Sequence, residues 1–285
     1  MADRRKAIIG DIGSIKSVPA SALHAMRLLQ DQNSNMGAIV QSINYDPGMT
    51  SNILRLANSS YFGCSRAIAS LRDAIVMLGS GNILKLVTAA VANAALNTKV
   101  RGYNITSQEL WDHAVAVAVA SENLSDLLKL KITRNGFTAG LLHDIGKVVM
   151  GRHIDKLDAK KMEEELKSGK PLVQIERDIL GIDHGELGGI LLSSWNIPEA
   201  LVQAVRWHHE PQSCPDAENV VPALINMSDS FCLLNNIGTS EKQPSAPVNK
   251  ELIDKLNVTD AVRDEVILRT KDSFENIKDI FSKRP

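Results

Sequence analysis

The 285-residue chain is long enough for two modest domains or one large one with an ample apolar core. Its formal net charge of -1 and the lack of a long Lys/Arg run argue against duplex nucleic acid as a partner. Cys64, Cys214 and Cys232 are an odd, widely spaced set without zinc-motif spacing, which fits reduced thiols. Asp3, Arg4, Arg5 and Lys6 precede only a short apolar patch, so no signal-peptide core is expected at the start. The most apolar stretch, Ile83 to Leu96, is interrupted by Lys85 and Asn93 and reads as too short to span a bilayer. A soluble, cytoplasmic protein with no membrane partner is the expectation.

Helix signals follow one another along the chain. A helix is expected at Ile39 to Ile43, and Asp46-Pro47 reads as an N-cap and first helical residue ahead of Ile53, Leu54, Leu56 and Ala57. Ser70 with Asp73 resembles a capping pair opening Ala74 to Leu78, which Gly79 closes. Ile83 to Leu96 follows, then a polar hinge at Lys99, Arg101, Gly102 and Asn104. Thr106 with Glu109 forms a stronger capping box before Leu110 to Leu130. Within it Ala114 to Ala120 alternates Ala and Val, a strand-like period that the helical continuation through Leu124, Leu127 and Leu128 outweighs. Further helices are predicted over Phe137 to Met150, Leu157 to Lys167, Leu172 to Leu180, Glu186 to Trp195, Pro198 to Trp207 and Pro222 to Leu234. Gly238 to Asn249 reads as a linker before helices at Leu252 to Leu256 and Ala261 to Phe281. The fold class is therefore all-α, divided into an N-terminal helical part over 1-104, a ligand-bearing part over 105-238, and a linker with C-terminal helices over 239-285.

Placement of histidines and carboxylates carries the functional argument. Glu109, His113, His143-Asp144, His184, His208-His209 and Asp229 form an ordered series of potential ligands, taking five of the seven histidines. Imidazole nitrogens and carboxylate oxygens suit divalent transition ions, and a carboxylate can bridge two of them. Adjacent helical residues diverge by roughly 100 degrees, so His143 and Asp144 can face one centre only at a helix end or distortion. Gly146 is expected to supply local backbone freedom there, while Ala139 and Gly140 permit close approach of another helix. His208-His209 sits at a predicted helix end before Pro211, where the same reasoning applies.

Each residue also has an ordinary alternative. A lone histidine of this kind is commonly a helix-terminus residue satisfied by backbone, a reading the ordered set weakens. Glu109 and His113, four apart, share a helical face, yet Glu109 also serves as the acid of the capping box. Asp229, between Met227 and Phe231, is costly to bury alone; metal coordination or a solvent-facing position would each remove that cost. Lys147 could steady a phosphate oxygen or be solvated. His24 and His153 read as ordinary, with His153 an outside candidate.

At these residues the chain resembles a known family. Gly140-Leu-Leu-His-Asp-Ile-Gly-Lys147 is similar to the signature of the HD superfamily of metal-dependent phosphohydrolases, and the chain from about Ile15 to Leu234 resembles the HDOD domain, the HD-related output domain of bacterial signalling proteins. Val18-Pro19, Asp46-Pro47, Arg55 to Gly63, Ala74 to Gly79, His184 with Gly185, Leu187 and Gly188, Trp195 to Pro198, and His208-His209 carry that resemblance. It implies a multi-helix HD-like bundle holding two divalent ions (Fe, Mn, Zn, Ni or Mg). Asp144 would bridge them, with His113, His143 and Asp229 serving one, His184, His208 and His209 the other, and Glu109 assisting a third. Asp144 and Lys147 would be the catalytic residues.

Two functions are compatible with the resemblance. One is a signalling output module that engages a protein partner, its surface including the Asn58 to Gly63 turn. The other is a working phosphohydrolase on a nucleotide or other phosphoester. The related HD-GYP phosphodiesterases open cyclic di-GMP, but Pro211-Gln-Ser-Cys-Pro215 replaces their glycine-rich stretch ending in Gly-Tyr-Pro, which argues against that substrate. The balance favours a signalling protein with a real metal site.

Overall fold

The computed structural model describes residues 2-14, 20-31, 33-59, 62, 67-96, 100, 102-130, 133-239 and 250-282. Among them the regular structure is helical, as the periodicity predicts, with no strand. The helices are α1 (Ala2–Gly10), α2 (Ala20–Gln30), α3 (Met36–Asn44), α4 (Pro47–Ala57), α5 (Leu71–Leu96), α6 (Ser107–Leu127), α7 (Thr133–Leu142), α8 (Gly146–Met150), α9 (Lys156–Lys167), α10 (Leu172–Leu180), α11 (His184–Ser194), α12 (Glu199–Arg206), α13 (Val221–Leu234), α14 (Lys250–Lys255) and α15 (Asp260–Ser282). Short 3-10 turns lie at Asp11–Ser14 and Pro211–Ser213. Ile15, Val18-Pro19, Ser60, Tyr61, Gly63, Cys64, Lys99, Arg101 and most of the expected linker, 240-249, fall outside the described residues.

The sequence signals account for several boundaries. Asp46 caps α4 by accepting from the Met49 amide at 2.9 Å, with Pro47 next. Thr106 and Glu109 form the capping box of α6 in both directions: Thr106 Oγ1 accepts from the Glu109 amide at 3.1 Å, and Glu109 Oε2 accepts from the Thr106 amide at 2.8 Å. Gly79 is non-helical, with φ 76 and ψ 161, and closes the first predicted segment as expected; helix resumes at once beyond it, so the two segments lie end to end across this kink within α5. That makes α5 longer than the Ile83 to Leu96 stretch. Leu71–Asn93 is the one segment among the described residues long and apolar enough to cross a membrane. It carries a face of fully buried residues, including Ile83, Leu86 and Val87, and packs against α2, α4 and α7 as a core helix does.

Helix α6 is the axis on which the second half is assembled. All seven residues from Ala114 to Ala120 are buried, because α7, α13 and α15 surround the helix. A helix covered on several sides needs no polar face, which is why its Ala/Val alternation is misleading as a strand signal. Alanines also let neighbours come close: a Cβ on Gly140 of α7 would stand 2.8 Å from the Ala118 Cα. The half-buried Lys85–Glu122 ion pair ties α5 to α6, with the Lys85 Nζ 5.5 Å from the centre of the Phe137 ring of α7. The predicted single helix over Phe137 to Met150 is instead two helices, α7 and α8, separated by a turn at 143-145. That break places the His-Asp doublet.

Candidate metal centre

His143 and Asp144 leave the end of α7 in the turn before α8 and are 1% and 2% exposed. Freed from helical spacing, the two side chains face the same space, with His143 Nε2 3.4 Å from Asp144 Oδ2. Gly146 makes this possible for a reason other than backbone freedom. Its φ is not positive, but a Cβ there would lie 2.0 Å from the His184 carbonyl oxygen, so the missing side chain lets the starts of α8 and α11 touch. His184 opens α11 one residue after Asp183, whose side chain caps the helix through the Glu186 amide. His208 and His209 follow the end of α12, and Asn226 of α13 donates to the His208 carbonyl at 2.8 Å. His113 comes from the second turn of α6 and Asp229 from the middle of α13.

These segments converge. The five imidazoles form an unbroken chain with ring centres 5.3 Å apart for His113 and His143, 5.2 Å for His143 and His208, 5.3 Å for His208 and His184, and 4.8 Å for His184 and His209. Asp144 stands between its two ends, with Oδ1 3.2 Å from His184 Nε2. Asp229 Oδ1 is 3.0 Å from His113 Nε2. Two sets of ligand atoms are close enough to share an ion: His113, His143 and Asp144, and His184, His208 and His209.

His143 Nδ1 pairs with the Gly140 carbonyl at 2.7 Å and His208 Nδ1 with the Val205 carbonyl at 2.6 Å. A carbonyl accepts only, so each Nδ1 carries the proton and each Nε2 presents a lone pair. Among the described residues, those two Nε2 atoms and Asp229 Oδ1 are buried with no hydrogen-bond partner. Asp229 Oδ1 approaches His113 Nε2 to 3.0 Å without hydrogen-bond alignment, and His113 Nδ1 is likewise buried without a partner among the described residues. Buried acceptors left unmatched cost about 1 to 3 kcal/mol each. A divalent ion is a species that would satisfy several at once, and the set fits one.

Charge follows the same logic. Burial works to raise Asp144, but His143, Lys147 and His184 hold its carboxyl well below the ordinary range. Burial lowers His143, takes His208 down to about 3, and puts His209 well below an ordinary imidazole. His184 is the exception: burial opposes its charge, yet Glu176 and Asp144 raise it to about 9.

The outlying candidates divide clearly. Lys147 is buried, not solvated, and donates to Asp144 Oδ2 at 2.7 Å; burial would lower its ammonium, but Asp144 outweighs this and raises it. Glu109 lies outside both ligand sets, its Oε2 also accepting from Thr106 Oγ1 at 2.9 Å in the cap. His153 pairs with Asp11 at 3.2 Å away from the centre, and His24 is exposed on α2. Sequence reasoning missed Glu176 and Tyr103. Glu176 is fully buried and pairs with His184 Nδ1 at 2.8 Å, and the Tyr103 hydroxyl donates to it at 2.7 Å. The only available signal was an acid eight residues before a ligand histidine, which spacing alone does not mark.

The family model of the HDOD domain matches residues 15–211. An uncharacterized protein of Treponema pallidum (strain Nichols) is 22% identical over 206 residues, covering 72% of this chain and 39% of its own length. The chain therefore spans about two fifths of that curated relative. A crystal structure from Marinobacter aquaeolei VT8, provisionally described as a signal transduction protein, superposes with TM-score 0.77 at 19% identity, over 99% of this chain and 66% of the other. An HDOD domain protein with unknown function from Geobacter sulfurreducens gives 0.72 at 21% identity, over 98% and 95%. A protein of Shewanella amazonensis SB2B, provisionally described as a phosphohydrolase, gives 0.65 at 22%, over 93% and 98%. These structural likenesses establish the fold.

Proposed function

The chain belongs to the HDOD family, and from that premise we propose that it is a cytoplasmic signal-transduction output module that acts by engaging a protein partner around a two-ion HD centre. The observation that carries the reading is the set of buried, unmatched ligand atoms from separate helices, His143 Nε2, His208 Nε2 and Asp229 Oδ1 among them, gathered around Asp144. In this reading His113, His143 and Asp229 hold one ion, His184, His208 and His209 the other, and Asp144 is shared. Glu109 is left to its cap. Five imidazoles with two carboxylates favour Fe, Zn or Ni over Mg, which prefers oxygen ligands.

A second reading, hydrolysis of a nucleotide or other phosphoester, is supported by Lys147. A charged ammonium held in the interior beside Asp144 is a point charge of the kind that steadies a phosphate oxygen. Bound divalent ions supply Lewis-acid polarisation of a phosphoryl group and activate water. The chain's own contribution would be to orient the imidazoles through the Gly140 and Val205 carbonyls and to keep the Asp144 carboxylate ionised.

Elemental analysis of protein purified without chelator, beside Asp144→Ala, tests the centre. About two transition ions per chain are expected in the parent and a large loss in the variant, since removing a shared ligand damages both positions. Sub-stoichiometric metal in both proteins overturns the reading. With full occupancy, turnover in a panel of phosphodiesters and nucleotides moves the assignment to the hydrolase, and none leaves the partner-binding module.

A further inference from the structure

Glu176 is a buried carboxylate that the ligand sets do not use. It lies on α10 and its two oxygens serve three donors. Oε2 accepts from the His184 amide at 2.9 Å and pairs with His184 Nδ1 at 2.8 Å, while Oε1 accepts from the Tyr103 hydroxyl at 2.7 Å. A buried carboxyl group without such partners would be strongly destabilising, and these three donors satisfy both of its oxygens. A carboxylate at Nδ1 forces that nitrogen to carry the proton and turns Nε2 towards the centre. There Nε2 stands 3.2 Å from Asp144 Oδ1 and 2.9 Å from His209 Nε2. His143 and His208 are oriented through backbone carbonyls, whereas His184 is held by an acidic side chain.

Tyr103 brings in a distant part of the chain. It sits between α5 and α6, beside Gly102, whose φ is +86 and whose added Cβ would stand 2.3 Å from Ile154 Cγ2. The connector from the front helices is thus pressed against the segment after α8, which fixes the hydroxyl over Glu176. We infer that Glu176 is a positioning residue that sets the tautomer and ring orientation of His184, and that Tyr103, on the connector between the front helices and the metal-site half, acts through it. The inference rests on the two-ion reading for its purpose, but the positioning exists in the protein without metal.

Two measurements test it on the full chain. In 15N-histidine-labelled protein without added metal, NMR should show a downfield, slowly exchanging proton on His184 Nδ1. It should move upfield and exchange faster in Glu176→Gln and remain in Asp144→Ala, a contrast that general loss of packing would not produce. Calorimetric titration with Zn2+ against a competing chelator should show affinity falling about 10- to 100-fold in Glu176→Gln. Tyr103→Phe, which removes one oxygen and spares the fold, should lose about 5- to 10-fold, and the double variant no more than Glu176→Gln alone. An unchanged His184 resonance with Zn2+ affinity within about threefold of the parent in Glu176→Gln overturns the inference, and additive losses overturn the part assigned to Tyr103. Equal metal uptake by the parent and Asp144→Ala would sink the two-ion reading instead, with the metal-free resonance still deciding for or against Glu176.

Discussion

Gly146 matters for the atom it lacks. Spacing in the sequence marks it as a source of backbone freedom beside the His-Asp doublet, yet its role is steric: an added Cβ would sit 2.0 Å from the His184 carbonyl oxygen and 2.9 Å from the Gly188 amide. Neither neighbour is a flexible side chain, so Gly146→Ala must push α8 from α11. A loss of about 1 to 3 kcal/mol in urea denaturation is expected, as for other overpacked interiors, together with reduced metal uptake because Asp144 and His184 are drawn apart. Gly10→Ala, where an added Cβ meets nothing within 4 Å, should leave both unchanged. At this scale residue type was legible and reason was not. Histidines and acids announce ligand chemistry by identity, whereas Glu176 is hidden among the charged residues Glu176-Arg177-Asp178 of α10 and acts through burial, which spacing does not encode.

Helix starts were legible because capping chemistry is local. Asp46-Pro47 and Thr106 with Glu109 open helices at the positions their side chains dictate. The interruption between α7 and α8 was legible only in part: the His143-Asp144 doublet called for a helix end or distortion, but helical periodicity ran Phe137 to Met150 together, and the close approach of Gly146 to α11 lies outside local pattern. The capping box separates the two roles open to Glu109. Thr106→Ala should cost about 1 kcal/mol of stability with full metal content, because His113 is set by the buried face of α6 rather than by its first turn. Glu109→Gln preserves the box and should keep the metal content of the parent; loss of an ion in that variant by elemental analysis would return Glu109 to the ligand set.

Across the whole molecule, the first helix belongs to the metal-bearing half. Arg4 pairs with Asp158 of α9 and donates to the His153 carbonyl, and Arg5 meets Glu186 of α11 in a two-pronged contact at 2.8 Å while also reaching the Gly181 carbonyl. Two arginines in a short N-terminal run gave no sign of this, because long-range pairing depends on where the chain returns some 150 residues later. Both carboxylates are shifted in the direction such contacts require. Burial would raise Asp158, but Arg4 brings it below its ordinary value, and Glu186 is lowered chiefly by Arg5. A carboxyl depressed in the folded state contributes stability that is present above its unfolded pKa, about 4, and lost as pH falls through the lower folded value. The difference in melting temperature between the parent and Arg4→Ala/Arg5→Ala should therefore be flat from pH 7 to about 5 and shrink below about 4. The pairs are partly exposed, so the whole difference should be modest and fall with added salt. Circular dichroism melts at several pH values check this, and a difference that persists undiminished at pH 3.5, about half a unit below the unfolded carboxyl range, would mean that packing of the arginine stems, not charge, holds α1 in place.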